Sequence, residues 1–312
     1  MLLTLTEVAA FFAPIKGLFM FDTCADPSSL EGTIWLMCYL TTAKHFAFYG
    51  SFIVVLVLLL CAAPLSLLFG FVATSGVRSS IWPVRLIAKG YINMVRGVPD
   101  VVFFLFVPLA LDQLFEFIRH KIICSHVLEP VWRGTDFIVC KAAKLPLSTS
   151  DLWVHQLYAF VLALIAFAIV FGAFAGNVLS GAMKAVPRAQ TETAAAYGFS
   201  KKQVFWRILV PQMWVYAIPG LSNLWMILIK ATPLLFLLGV EDIVYWAREL
   251  GGSKTSLYAY PHPDWRVYYF AGLLIFYLVM TWVSGKVLAK LQLKLSHGQA
   301  TMAGSELQGY SG

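Results

Sequence analysis

The sequence predicts an all-α membrane protein with about five transmembrane helices, an extracytoplasmic N-terminus and a cytoplasmic C-terminus. Three observations lead to this fold class. The 312 residues are 60% hydrophobic and only 12% charged, whereas a soluble domain carries about 25% charged residues. Four long segments contain no Asp, Glu, Lys or Arg, and about 20 helical residues are enough to cross the hydrocarbon core. Lysine and arginine are concentrated in alternate loops, as is typical of cytoplasmic loops.

The apolar segments also predict the position of each helix. Four of them contain no charge and predict spans one, three, four and five: Phe46–Val77, Leu152–Met183, Ile208–Ile229 and Val267–Gly285. Span two is weaker, because Val101–Leu111 is apolar but Asp100, Asp112 and Glu116 surround it. We count it as a span because a helix that extends to Ile118 is long enough to cross.

The basic residues determine the predicted orientation. Three groups lie on one side of a five-span protein, before span two, after span three and after span five: Arg78, Arg85, Lys89 and Arg96; Lys184, Arg188, Lys201, Lys202 and Arg207; Lys286, Lys290 and Lys294. Short cytoplasmic loops are enriched in these residues, so this side is predicted to be cytoplasmic. The outer loop 119–151 also carries basic residues, but it is longer and includes three acidic ones. The net charge of +7 therefore indicates orientation, and nucleic acid is not predicted as a partner.

The two ends of the chain differ from its central part. Residues 1–45 are predicted to form an extracytoplasmic extension. Within it, Met1–Met20 is apolar but contains two charges and lacks the basic start of a signal peptide, so we expect an interfacial helix. Residues 46–290 are predicted as the transmembrane domain. The tail 291–312 is predicted to be cytoplasmic and disordered, because most of it is small and polar.

The most informative segment is Pro187–Pro211, a polar loop between two apolar spans. Pro187 suits the first position of a helix, and Gly198 suits the left-handed residue that ends one. Ser200, followed three residues later by Gln203, forms a capping-box pattern that opens a second helix. The segment therefore predicts two short helices that meet at a glycine, and such an element in a membrane protein indicates a docking surface.

This loop resembles the EAA motif of the membrane subunits of ATP-binding-cassette (ABC) importers. In that motif, Glu-Ala-Ala is followed after three residues by Gly, and nine residues later by Ile, with a Pro three residues beyond. The residues that match these spacings are Glu192, Ala194, Gly198, Ile208 and Pro211. Thr193 stands where the family has its first Ala. An ordinary amphipathic helix at the membrane surface is the alternative interpretation.

The resemblance implies the type I ABC importer permease fold and a role for the loop. In the family, this loop sits in a cleft of an ATPase subunit, whose ATP-driven closure rocks the spans between outward and inward states. Ala194, Ala195 and Ala196 would allow a close approach to the partner groove, and Gly198 would fix the turn between the helices.

A second resemblance lies just before span two. The segment with Arg96, Gly97 and Pro99 is similar to the Arg-Gly-Thr-Pro sequence of the polar amino acid importer branch. Val98 replaces the threonine, and Asp100 stands where that branch usually has an apolar residue. The segment argues against a methionine permease, which is the alternative within the same machinery.

Span four carries a third resemblance to this branch, at Asn223, Lys230 and Thr232, which would lie along the substrate path. Ala231 and Pro233 depart from the commoner residues, and Pro233 predicts a local break in the helix. Ionisable residues inside spans are costly and often functional. Lys230 is therefore predicted either to meet the carboxylate of an amino acid or to extend its ammonium group to the lipid headgroups.

The five cysteines indicate the compartment on each side. Cys61 falls inside span one and is predicted to be an apolar filler. The others lie in segments predicted to be outside, where disulfides form: Cys24, Cys38, Cys124 and Cys140. Cys124 and Cys140 share one loop and are the natural pair. His120 and His126 flank Cys124, but no standard ligand spacing is present, so no metal site is predicted.

Together these observations predict a permease subunit of an ABC importer in the bacterial inner membrane. The resemblance implies a dimer with a second permease, two ATPase subunits that use ATP, an extracytoplasmic solute-binding protein, and a polar amino acid or opine as substrate. The chain itself has no predicted cofactor, catalytic residue or enzyme activity. The alternative from another class is an ATP-independent secondary transporter or channel, which would need more intramembrane ionisable residues than this sequence contains.

Overall fold

The computed structural model describes residues 24, 26–124, 126, 129, 131–133, 136–145 and 149–296. Five of its helices are long and apolar enough to cross a membrane: Ala43–Val77, Asp100–Ile123, Leu152–Ala185, Lys201–Leu238 and Arg266–Leu295. All five predicted spans are confirmed, including the weaker second one. The predicted helix at Met1–Met20 and most of the predicted tail lie outside the described residues.

The described elements follow one another as helices, apart from one small hairpin. The α-helices are α1 (Gly32–Leu40), α2 (Ala43–Val77), α3 (Trp82–Gly97), α4 (Asp100–Ile123), α5 (Leu152–Ala185), α6 (Arg188–Ala196), α7 (Lys201–Val204), α8 (Val210–Ala231), α9 (Ile243–Gly251) and α10 (Arg266–Ser296). The antiparallel hairpin pairs β1 (Val131–Arg133) with β2 (Asp136–Ile138). A single 3-10 turn covers Pro27–Ser29, a longer 3-10 helix covers Thr232–Leu238, and a π-helical turn covers Phe205–Leu209.

The core forms where α2 and α5 cross, because small residues let their backbones approach closely. A Cβ atom on Gly70 would lie 2.7 Å from the Ala175 Cβ atom and 2.8 Å from the Gly176 nitrogen. Gly172 and Gly176 on α5 are four residues apart, the small-xxx-small spacing that favours close packing of membrane helices. The Thr74 hydroxyl donates to the Gly176 carbonyl oxygen at 2.8 Å, which adds a polar link between the two spans.

Three helices outside the spans were not predicted. The clearest signal was available for α3, whose buried residues Ala88, Ile92 and Val95 repeat at helical spacing along one face. From its basic residues alone, this segment was predicted only as a cytoplasmic loop. The other two, α1 and α9, are nine residues each, and helices of that length depend on tertiary packing.

An aromatic cluster joins α1 to the loop that precedes α10. The Tyr39 hydroxyl oxygen lies 2.9 Å from the Leu250 carbonyl oxygen and 2.9 Å from His262 Nε2. The Trp265 ring stacks on His262, with ring centroids 4.4 Å apart. The disulfide between Cys24 and Cys38 closes the segment before α1 onto that helix. The N-terminal segment is thus tied to the same end of the spans as α9.

Candidate functional site

The loop between α5 and α8 is built as two short helices around a left-handed glycine. Gly198 has a φ of 81°, and α6 ends there in a Schellman motif. The Gly198 N–H donates to the Ala195 carbonyl oxygen at 3.0 Å. The Phe199 N–H donates to the Ala194 carbonyl oxygen at 3.1 Å. Ser200 and Gln203 form the predicted capping box, with N–O distances of 2.8 and 3.3 Å. The two-helix prediction is confirmed. Pro187, however, precedes α6 as its N-cap rather than standing at its first position.

The side chains of this loop divide into an inner and an outer set. Ala194 is only 7% exposed and lies where α6 packs on α7 and the π-helical turn. Little of the Ala194 side chain is therefore open to a partner in this structure, and the predicted close approach at this residue stays a prediction. Glu192, Ala195 and Ala196 are exposed. Tyr197, at the tip, is 82% exposed. It is not among the predicted residues, although a large aromatic residue beside a turn glycine is visible in the sequence.

The loop is continuous with span four. Helix α7 passes through the π-helical turn into α8, so that Lys201–Leu238 forms one helical span. The Val210 N–H donates to the Phe205 carbonyl oxygen, five residues earlier, and Pro211 has no N–H to complete the next α-helical bond. Ile208 is half-buried and Pro211 is exposed. The loop and α8 therefore belong to one continuous helical element.

The segment at Arg96 is a short connector between α3 and α4. Helix α3 ends at Gly97, Val98 is extended, and Pro99 is the N-cap of α4. The Arg96 Nη1 atom donates to Asn177 Oδ1 at 3.1 Å, which ties the end of α3 to α5. The connector therefore fixes how α3 lies against the spans.

The polar residues of span four do not share one environment. Asn223, Ile227 and Lys230 are exposed and recur at intervals of four and three residues, so they lie on one face of α8. Thr232 is fully buried, and its hydroxyl group is hydrogen-bonded to the Ile229 carbonyl and the Tyr277 hydroxyl. The structure thus brings two of the three predicted path residues together and places Thr232 in the packing against α10. The predicted break at Pro233 is present as a change from α-helix to 3-10 helix.

Two further groups of titratable side chains were considered as sites. His120, Cys124 and Cys140 have ligand atoms within 4.8 Å of one another, but the two cysteines are joined in a disulfide and are not thiolate ligands in this state. Asp242 is buried at the N-terminus of α9, where its carboxylate accepts from the N–H groups of Val244 and Tyr245. Its burial raises the pKa of Asp242 to about 7.

Comparison with known proteins assigns the family. Residues 64–293 match the family described as the inner membrane component of binding-protein-dependent transport systems. The chain belongs to this family. These permeases are transport proteins rather than enzymes, and they work with an ATPase and a binding protein in general.

Individual relatives agree with this assignment. The permease is 32% identical to the histidine/lysine/arginine/ornithine transport system permease protein HisQ of Salmonella typhimurium, over 79% of this chain and 92% of the relative. It is 28% identical to the arginine ABC transporter permease protein ArtQ of Escherichia coli, over 69% and 81% of the two chains. Identity to the octopine transport system permease protein OccQ of Rhizobium radiobacter is 26%, over 75% and 84%.

A solved structure supports the fold. The crystal structure of an amino acid ABC transporter with histidines aligns with a TM-score of 0.55 at 19% identity, covering 85% of this chain and 99% of the other. The resemblance to permeases of the polar amino acid and opine branch is therefore confirmed, as are the ABC importer permease fold and the location as a multi-pass protein of the inner membrane.

Proposed function

We propose that this permease forms, with a second permease subunit, the translocation pathway for a polar amino acid or an opine. The names of its relatives support this substrate class. HisQ belongs to a transport system for histidine, lysine, arginine and ornithine, ArtQ to one for arginine, and OccQ to one for octopine. The proposed coupling to ATP hydrolysis is supported by the loop around Gly198, which combines the EAA spacing with a two-helix shape held by a left-handed glycine and a capping box. One ATPase subunit would dock on this loop in each of the two permeases.

The orientation is part of the same proposal. The loop 187–211 and its basic residues lie in the cytoplasm, and residues 1–45 lie outside. The disulfides Cys24–Cys38 and Cys124–Cys140 support this, because five alternating spans put both at the end opposite the loop, and disulfides persist in the oxidising space outside the cytoplasm. The predicted bounds of the transmembrane domain are 46–290, with 291–312 as a cytoplasmic tail, but the first six residues of that tail are helical because they continue α10 to Ser296.

The docking surface has a defined shape. Glu192, Ala195, Ala196 and Tyr197 are among its exposed residues, and tyrosine is one of the residue types enriched where interfaces gain most of their affinity. The Schellman motif and the capping box hold the tip in one geometry, so little conformational entropy is lost on docking. We place the Tyr197 ring in an apolar pocket of the ATPase subunit.

Purification of the tagged permease, co-expressed with its neighbouring genes, tests this function. Mass spectrometry of the detergent-stable complex should identify an ATPase and a second permease, or a second copy of this chain. Tyr197→Ala is expected to lower ATPase recovery about tenfold or more, the loss of a hot-spot side chain. Tyr258→Ala, which changes an exposed tyrosine in the loop between α9 and α10, should leave recovery unchanged. A chain recovered alone that moves solute in liposomes without ATP would contradict the function.

The exposed face of α8 is proposed to line the pathway. Five spans of one chain seldom enclose a pathway, and Asn223 and Lys230 face away from the rest of the chain, where a second permease would lie. An ammonium group at this position can pair with the carboxylate that all amino acids carry.

Lys230→Met is expected to raise the KM for uptake about tenfold or more, because a hydrogen bond to a charged group contributes about 1.5–3 kcal/mol. Lys230→Arg keeps the charge and should retain most of the affinity. Uptake is measured in liposomes that contain the whole complex. An unchanged KM in Lys230→Met would show that this side chain extends to the headgroups instead.

A further inference from the structure

The hydrogen bonds that join Tyr39 to His262 require one proton more than the two neutral side chains supply. The His262 Nδ1 atom lies 2.6 Å from the Pro263 carbonyl oxygen. A carbonyl oxygen only accepts hydrogen bonds, so Nδ1 carries a proton. The Tyr39 hydroxyl oxygen lies 2.9 Å from the Leu250 carbonyl oxygen and 2.9 Å from His262 Nε2. The Leu250 carbonyl also needs a proton from its partner, and the Tyr39 hydroxyl has only one to give.

Protonation of the His262 ring supplies the missing proton. When the ring is neutral and Nδ1 is protonated, Nε2 is an acceptor and competes with the Leu250 carbonyl for the single Tyr39 proton. Whichever group loses then faces the Tyr39 oxygen at 2.9 Å with no proton between them. Tyr39 is 5% exposed and His262 is 6% exposed, and an unmade hydrogen bond at a buried position is costly. In the imidazolium form both ring nitrogens donate, so all three contacts are made.

The ring of Trp265 and a nearby carboxylate favour the same charge. Trp265 lies almost parallel to the His262 ring, with the centroids 4.4 Å apart and an interplanar angle of 16°. A cation over the face of a tryptophan ring is attracted to it. The pKa of Asp264 is lowered to about 2, chiefly by its hydrogen bonds with Arg266 and to a smaller extent by His262. The Asp264 carboxylate is therefore negatively charged close to the His262 ring.

Other titratable and charged groups surround this position, and they come from every element that packs there: Tyr39 on α1, Lys44 and His45 on α2, Glu249 on α9, Lys254, Tyr260 and Asp264 in the loop before α10, and Arg266 and Tyr269 on α10. The three basic side chains pair with the two carboxylates, so one positive charge is left over and opposes protonation. These ion pairs are partly open to water, which weakens their effect.

His45, the other buried histidine of this cluster, does not have the same shortage. Its ring nitrogens lie 2.8 Å from the Thr42 hydroxyl oxygen and 2.6 Å from the Tyr269 hydroxyl oxygen. A hydroxyl group can donate or accept, so a neutral His45 ring satisfies both of these contacts.

We propose that protonated His262 holds α1, through Tyr39, to the end of α9 and the start of α10, and that loss of this proton weakens the contact. The disulfide between Cys24 and Cys38 extends the contact to the segment before α1. Histidine is the side chain that changes its charge between pH 5 and 8. Because the intact contact binds the additional proton, it is stable at low pH and is weakened as His262 is deprotonated at higher pH. The inference does not depend on the proposed transport function.

Hydrogen–deuterium exchange of the detergent-purified permease complex tests this proposal. The backbone N–H groups of Lys254 and His262 bond to each other's carbonyl oxygens at 2.9 and 3.0 Å. Their protection, corrected for the intrinsic exchange rate, is expected to be about tenfold greater at pH 5.5 than at pH 8.0. His262→Gln should remove this difference, because an amide does not titrate in this range. His155→Gln is the matched control: it changes a half-buried histidine on α5 and should keep the full difference.

Two further measurements separate the proton from a merely structural role of the ring. Tyr39→Phe leaves His262 in place but removes the competition for the hydroxyl proton, so the difference in protection should fall to about twofold or less. In ¹⁵N NMR of the histidine-labelled complex, the His262 ring should have two protonated nitrogens at pH 5.5 and one at pH 8.0. Equal protection at both pH values in the unaltered chain would overturn the proposal. So would a pH difference that persists in His262→Gln, or one that His45→Gln alone abolishes.

Discussion

Gly198→Val is expected to reduce ATP-driven uptake at least tenfold, while the permease still inserts into the membrane in normal amounts. The φ of Gly198 is 81°, a left-handed conformation that resists β-branched side chains and costs about 1–3 kcal/mol when imposed on them. There is open space around the position, so the effect comes from the backbone and not from a clash. Relief of the strain would rotate α6 relative to α7. This rotation would displace Tyr197, at the tip of the loop, from the ATPase subunit that we propose docks there.

Gly181→Val is the matched control for this experiment. Gly181 lies near the end of α5, also has open space around it, and is helical. The same substitution there should leave uptake within about twofold of the unaltered complex. Uptake is measured in liposomes with ATP inside, and insertion by membrane fractionation. If Gly198→Val transported as fast as Gly181→Val, the geometry of the turn would not be needed for coupling.

Gly70→Val is expected to destabilise the transmembrane domain strongly. The new Cβ atom would lie 2.7 Å from the Ala175 Cβ atom and 2.8 Å from the Gly176 backbone nitrogen. A backbone neighbour cannot move aside as the end of a flexible side chain does, so α2 and α5 would have to separate. Separation would also break the 2.8 Å hydrogen bond from Thr74 to the Gly176 carbonyl oxygen.

The loss is expected to be about 3 kcal/mol, in the upper part of the range for overpacking. It should appear as low yield and as a Tm in detergent that is lower by about 5 °C or more. Gly50→Val is the control in the same helix, because nothing lies within 4 Å of the added atom there. Equal Tm values for the two variants would mean that the crossing of α2 and α5 is looser than the structure describes.

Features that depend on local sequence were predicted well. The spans follow from the number of consecutive apolar residues, since hydrocarbon excludes charge regardless of the partner helices. The loop around Gly198 follows from the conformational freedom of glycine and from the Ser200–Gln203 cap, whose two residues are separated by only two positions. The family resemblance rests on the same local spacing, and for this reason it is recognisable although the chain is only 26–32% identical to the relatives described above.

The tertiary structure decided what depends on contacts between distant residues. The burial of Ala194 and the bond from Thr232 to Tyr277 are set by which face of a helix meets a neighbour. Helix α9 is held through Leu250, which lies 211 residues from Tyr39 in the chain. A short helix gains most of its stability from such packing rather than from its own residues. By itself, then, the sequence determined the spans, the two-helix geometry of the loop around Gly198 and the family. Only the tertiary structure decided which side chains remain free to meet a partner, because exposure depends on the whole fold.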